Sequence, residues 1–351
     1  MNNNDRRGNS PLVKALLFVM LLVRRCYPIM KLFRWVYRTP AFSKLRKPLD
    51  SLLDPNSISR HSNFAIPTKF IRVEGLMGES MRVNLGDHIG YRIFMDGYFD
   101  LAPALVAIAM SAQNPRAFYL DIGANIGDTS ISVAQRGIHT VGVDASTLAI
   151  SELCYNLTLN APLPYTVVHA AVASESLPLT GEGTSDYLTI HTPVGNTGAA
   201  SVHAEWNQVK SSDLQMLSIP RRISDIVRSL LIREISVIKL DVEGAEYAAI
   251  EGMVDLLDRE KCPLIFEYRI DRGGSNQSSA SEAAPSILDV LPADYVCYAV
   301  ECSNVTGDAA VLKFQPFDRE QPYENVLAVY QSLPDCLSAA GSANGLTIRF
   351  G

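Results

Sequence analysis

The chain has 351 residues, room for one large domain or two modest ones at ~150 residues each. Its 47% hydrophobic and 19% charged content is that of a folded protein and excludes a low-complexity or disordered chain. The net charge of −6 is unevenly spread: residues 1–50 hold eleven Lys/Arg against two acids (+9), the rest twenty against thirty-five (−15). An acidic body is a poor partner for nucleic acid, so any attraction to anionic surfaces falls to the first fifty residues. The six cysteines (Cys26, Cys154, Cys262, Cys297, Cys302, Cys336) form no C-x-x-C pair and no zinc spacing, and no metal is expected.

Residues 1–10 are polar. Ala15 to Val23 is an uninterrupted apolar run flanked by Lys14, Arg24 and Arg25. Nine helical residues cover about 13 Å, far short of the ~30 Å hydrocarbon core of a bilayer. Tyr27 to Lys47 mixes aromatics with bases, as in Phe33-Arg34-Trp35, a combination suited to a membrane interface. Residues 11–47 are therefore expected to touch a membrane surface, with an Arg-rich organelle-targeting presequence as the competing reading. Pro48 to Pro67 reads as a linker. Phe70 to Glu74 and Met81 to Leu85 alternate as the two strands of a hairpin, and Leu101 to Ser111 reads as a helix.

Ala117 to Ser130 organises the chain. Phe118 to Ile122 has the apolar, aromatic look of a buried strand, Gly123-Ala124-Asn125 breaks it, and Ile126 to Gln135 continues at helical spacing. A strand, a Gly turn and a helix N-terminus make a nucleotide-type binding corner. Asp121 adds a charge that can hold a ligand's ammonium group. The glycines are spaced D-x-G-x-x-x-G, Asp121 to Gly127, and not as the dinucleotide G-x-G-x-x-G. About twenty residues on, Thr140 to Val143 reads as a second strand closed by Asp144, an acid placed to grip ribose hydroxyls.

A helix over Ser146 to Asn160, a strand over Thr166 to Ala171 and another over Tyr187 to His191 follow. Pro193 to Val209 is a long irregular stretch of the sort that shapes substrate pockets, and its His203 reads as a solvent-facing loop histidine. In Ile235 to Met253, Val237 to Leu240 is a strand interior and Glu243 onward reads as helix. Lys239 and Asp241 then share one strand face, with Asp241 at the carboxyl end where open α/β sheets place their chemistry. Glu243 and Glu246 fall at the start of the next helix. The competing reading makes Lys239 a core lysine neutralised by acids that cap the helix. Pro263 to Tyr268 is a further strand carrying Glu267, which could serve the site or simply pair with Arg269. Ser286 to Leu291 reads as helix, and Tyr295 to Val300 with Asn325 to Tyr330 as an antiparallel pair. From Pro334 the tail looks weakly structured.

Two separated stretches, Leu120-Asp121-Ile122-Gly123-Ala124-Asn125-Ile126-Gly127 and Ile238-Lys239-Leu240-Asp241-Val242-Glu243-Gly244-Ala245-Glu246, together resemble the FkbM-type methyltransferase domain over roughly residues 80–330. Ala170-Ala171-Val172 and Ile223-Ser224-Asp225 match lesser features of that family. Asp144 departs from it, since Glu followed by Pro is more usual there. The resemblance implies a class I methyltransferase: an α/β, Rossmann-like, seven-stranded, mostly parallel sheet with helices on both faces and the last strand antiparallel. It also implies S-adenosylmethionine as donor and a hydroxyl acceptor on a small molecule, sugar or lipid-like compound. On this reading residues 1–67 are a basic segment and linker, 68–333 the methyltransferase domain and 334–351 a flexible tail. Asp121, Gly123, Asn125, Gly127 and Asp144 would hold the donor, and Asp241, Lys239 and Glu267 would serve the acceptor. A nicotinamide-dependent oxidoreductase, or an inactive membrane-associated binding module, are the alternatives.

Overall fold

The computed structural model describes residues 27–39, 54–55, 68–174, 187–193, 196–202, 214–269, 286–306, 309–338, 341–343 and 346–350. The expected apolar run at 15–23, most of the linker and His203 lie outside them. In chain order, helix α1 (Tyr27–Arg38) precedes the hairpin β1 (Phe70–Glu74) and β2 (Ser80–Asn84), then α2 (His88–Asp96) and α3 (Ala102–Ser111). The next stretch runs β3 (Phe118–Ile122), α4 (Ser130–Ala134), β4 (Thr140–Asp144), α5 (Thr147–Asn160), β5 (Tyr165–His169) and β6 (Ala171–Val172). After β7 (Leu188–Thr192), β8 (Leu214–Ser218) and β9 (Pro220–Arg221) come α6 (Ile223–Ser229), β10 (Ile235–Leu240), α7 (Glu246–Glu251), α8 (Val254–Glu260) and β11 (Leu264–Tyr268). The chain closes with α9 (Ile287–Val290), β12 (Tyr295–Thr306), β13 (Ala309–Pro316), β14 (Tyr323–Tyr330), α10 (Asp335–Ser338), β15 (Gly341–Ala343) and β16 (Leu346–Phe350).

The large sheet has the order β15-β16-β13-β12-β14-β11-β10-β3-β4-β5. Its stretch from β5 to β12 is the seven-stranded class I methyltransferase sheet. β5, β4, β3, β10 and β11 run parallel, and β14, the last of the seven in sequence, lies antiparallel between β11 and β12. The fold class expected from the sequence is therefore the one found, with β13, β16 and β15 added at one edge. Residues beyond Pro334, expected as a weakly structured tail, carry two of those added strands, β15 and β16. β16 pairs parallel to β13 from Ala309↔Thr347 to Leu312↔Phe350.

Strand alternation sends each core strand to two apolar layers. Leu120, Ile122, Ile238, Leu240, Leu264 and Phe266 pack on one face with Ile223, Ala249 and Leu256 from α6, α7 and α8. Tyr119, Val237, Ile265 and Leu327 pack on the other face with Leu105 and Val106 of α3. Burying each such aliphatic side chain is worth about 1.5–3 kcal/mol, which is why these short strands hold register. The chain runs from β3 outward to β4 and β5, then returns to lay β10 on β3's other side. That reversal opens a crevice at the carboxyl ends of β3 and β10, where a sheet of this kind receives ligands.

Two helix starts differ from the sequence reading. The helix expected over Ile126 to Gln135 begins at Ser130, because Asn125 and Gly127 take φ of 47° and 89°, left-handed values that no helix continues. Likewise the helix expected from Glu243 begins at Glu246, since Glu243 (φ 47°) and Gly244 (φ 96°) turn the chain first.

Candidate active site

Lys239 is the centre of the crevice. It lies on β10, paired with Asp121 of β3 and followed two residues on by Asp241, and it is buried to 6% exposure. Its Nζ sits 3.2 Å from Asp121 Oδ1 and 3.3 Å from Asp241 Oδ2, and donates to the Gly123 carbonyl at 3.2 Å. One of the ammonium's three donors goes to the Gly123 carbonyl, and the two carboxylates flank it as ion pairs. Burial works to lower the Lys239 pKa, but the charges of Asp121 and Asp241 outweigh it and hold it above its ordinary value. Lys239 is a fixed cation.

Asp121 is fully buried, and no hydrogen bond of good geometry reaches either of its carboxylate oxygens. Burial raises its pKa and the Lys239 charge pulls it back only in part. Gly123 has φ 85°, and a Cβ there would lie 1.7 Å from the Asp241 carbonyl oxygen. The first glycine of the motif is thus required by the close passage of the β3 turn over the end of β10. Asn125 N donates to Asp144 Oδ2 and Ser146 N to Asp144 Oδ1, both at 2.8 Å. Asp144 therefore ties the loop after β3 to the start of α5, and each oxygen keeps a second acceptor site. Burial nevertheless leaves the Asp144 pKa raised. Asn125 Oδ1 is buried without a partner.

These residues wall a cavity of about 220 Å³. Of the residues expected from the sequence, Gly123, Asn125, Asp144, Lys239 and Asp241 line it. Asp121, Gly127 and Glu267 are not among its lining residues. Asp121 lies beneath the wall and reaches the cavity through Lys239, so the direct hold on a ligand's ammonium read from the sequence does not fit its position. Gly127 faces Ile131 and Leu153. Glu267 pairs through both oxygens with Arg269 at 2.6 Å, and Arg269 reaches Glu243 at 3.0 Å. Glu246 caps its own turn, accepting from Gly244 N at 2.9 Å.

Three further acids line the wall: Asp100 and Asp128, not singled out in the sequence, and Glu243, read there only as falling at the start of a helix. Asp100, just before α3, accepts from Ala102 N and from Asn325 Nδ2 at 3.0 Å. Its pKa is pushed up to about 6 by burial against the pull of Asn325. Asp128 follows Gly127 directly and is raised to about 7 by burial against the pull of Lys239. Glu243, also raised to about 7, feels burial first and then the Asp241 charge. Asp128 was within reach of the sequence reading, since it abuts the motif. Asp100 carries no local signal, as Asn325 lies 225 positions away.

Residues 121–292 match the sequence model of the methyltransferase FkbM domain. This stretch, just under half of the chain, is similar to the FkbM methyltransferase domain. The match begins at Asp121 itself and ends just past α9, so it takes in both motif-bearing strands, β3 and β10. Solved structures similar to this chain include the FkbM methyltransferase of Methylobacillus flagellatus KT, at 15% identity and TM-score 0.33, covering 69% of this chain and 52% of that one. The O-methyltransferase TomG of Streptomyces achromogenes, solved with SAM, has 10% identity, TM-score 0.35 and coverage of 70% and 88%. A SAM-dependent methyltransferase of Agrobacterium tumefaciens has 11% identity, TM-score 0.37 and coverage of 78% and 73%. Comparison with curated proteins returns no match. The fold stands on its strand order.

Proposed function

We propose that the FkbM-like domain binds S-adenosylmethionine in the β3/β10 crevice and methylates a hydroxyl of a small-molecule, sugar or lipid-like acceptor. The observation that carries this is the charge of the cavity wall. Asp100, Asp128, Asp144, Asp241 and Glu243 face a single lysine whose charge is already paired with Asp121 and Asp241. Such a wall suits a ligand bearing an ammonium and a sulfonium, and it repels the pyrophosphate of a nicotinamide dinucleotide. The unpartnered Asn125 Oδ1 and the unused acceptor sites of Asp144 fit an adenosyl group with its ribose hydroxyls.

S-adenosylmethionine brings a methyl already activated on sulfur, so alignment is the larger part of the work left to the protein. Asp100 and Asp128 hold the cationic end of the donor, and Gly123, Asn125 and Asp144 its adenosyl end. Asp241, 41% exposed at the wall, accepts the acceptor's hydroxyl proton. Lys239 keeps its own proton and fixes the Asp241 carboxylate, while Asp121 fixes Lys239. Glu267 acts at one remove, setting Arg269 against Glu243 beside the acceptor. The same proposal gives residues 11–47 contact with a membrane surface, supported by their basic and aromatic composition. It also makes residues 68–333 the methyltransferase unit.

A labelled-methyl assay against fractionated host extract tests the reading, with Asp128→Asn beside Asp241→Asn. The first should weaken donor binding about tenfold, and the second should leave it within about threefold while cutting turnover at least ~100-fold. Normal methylation by both variants, or no donor-dependent transfer by the parent protein, rejects these roles.

A further inference from the structure

At 100° per residue, α1 divides into sectors. Met30 and Tyr37 are buried in the cluster that contains Phe94 and Met95 of α2. Arg38 Nε donates to the Met95 carbonyl at 2.7 Å, and the Arg34 guanidinium lies over the Phe94 ring at 5.1 Å. These contacts fix which way the helix faces. Ile29, Leu32 and Trp35, spaced by three, are left at 46%, 62% and 68% exposure on an outward arc. Lys31 and Arg38 border its Trp35 edge, and the helix contains no acid.

We infer that α1 is an interfacial helix, laying Ile29, Leu32 and Trp35 into an anionic lipid surface. This rests on the membrane contact proposed for residues 11–47 and assigns it to particular side chains. Charge selects the occupant: residues 1–50 carry +9 and the remaining chain −15, so an anionic bilayer attracts this end and repels the body. The three side chains expose on the order of 300–400 Å² together, under half of the ~800 Å² each partner gives a stable protein–protein interface, which argues against a second copy. Twelve helical residues reach about 18 Å, so the helix lies on the bilayer and does not cross it. No helix among the described residues is long and apolar enough to cross.

The placement bears on the acceptor. α1 packs on α2, and the first residues of α2, His88 and Ile89, line the cavity. One nine-residue helix thus joins the lipid-facing surface to the crevice, which favours the lipid-like class of acceptor.

The full chain should cosediment with vesicles of equimolar phosphatidylcholine and phosphatidylglycerol, and poorly with phosphatidylcholine alone. In a Trp206→Phe background Trp35 is the sole tryptophan, and its emission should shift to the blue on binding. Leu32→Glu with Trp35→Glu should weaken vesicle binding at least ~10-fold, with melting temperature and donor binding unchanged. Equal binding by this variant would overturn the assignment to α1 while leaving membrane contact to the preceding residues. No binding by the parent chain would overturn both. A parent dimer that the variant turns into monomer would show that a second copy covers the helix.

Discussion

The ends of β10 and β11 offer the same chemistry, an acid and a cation apiece, and use it differently. On β10, Lys239 is buried between Asp121 and Asp241, with its charge paired to both and a cavity above it. On β11, Glu267 and Arg269 pair with side chains 25% and 42% exposed, outside the cavity wall. Charge at a strand end is therefore not what marks a site in this sheet. What marks it is burial at the switch between β3 and β10, where removing one partner strands another in a poor solvent.

The strongest way to break the contrast is Lys239→Ala. It leaves Asp121 a buried, unpaired carboxylate and should cost about 3–5 kcal/mol in a denaturant titration. Adding Asp121→Asn should recover at least ~1 kcal/mol, the non-additivity expected of a pair in contact. Gly123→Ala comes next: a left-handed φ and a collision with the Asp241 carbonyl should cost about 2 kcal/mol or more and loosen the wall without touching any charge.

Asp128→Asn sharpens the comparison through pH. The folded-state pKa of Asp128 is raised to about 7, above its unfolded value, so its neutral form favours the folded state and that advantage is lost as pH rises through 7. The variant should therefore be the more stable protein at pH 8, by on the order of 1–2 kcal/mol after allowing for partial exposure, with the difference vanishing below about pH 4. It should bind donor more weakly all the same. Thermal melts across pH, beside donor titrations, check both signs. Glu267→Gln should do least, with stability within about 0.5 kcal/mol as measured by denaturant.

How much of this was legible before the structure depended on where each interaction partner sits. Phe118 to Ile122 and Thr140 to Asp144 were readable because a buried parallel strand is a short apolar run closed by turn residues. Lys239 and Asp241 were readable as a shared face because strand side chains alternate. The true starts of α4 and α7 were hidden, since Asn125 and Glu243 adopt positive φ through tertiary packing and not through a glycine at their own position. β16 was missed because its pairing to β13 is long-range and leaves no local period. Asp121 looked like a ligand-holding acid and lies under the wall, because sequence gives strand position but not depth. Asp100 enters the wall only through the fold, which brings Asn325 to it.

The central claim is that the carboxylate-rich wall around Lys239 is built for a cationic adenosyl ligand. Calorimetric titration of the full chain with S-adenosylmethionine and, separately, with a nicotinamide dinucleotide addresses it most directly. Saturable S-adenosylmethionine binding that tightens severalfold from pH 6 to pH 8, as Asp100, Asp128 and Glu243 lose their protons, is the result predicted, with no heat from the dinucleotide. Dinucleotide binding as tight as that of S-adenosylmethionine, or affinity that falls over the same pH range, would contradict it.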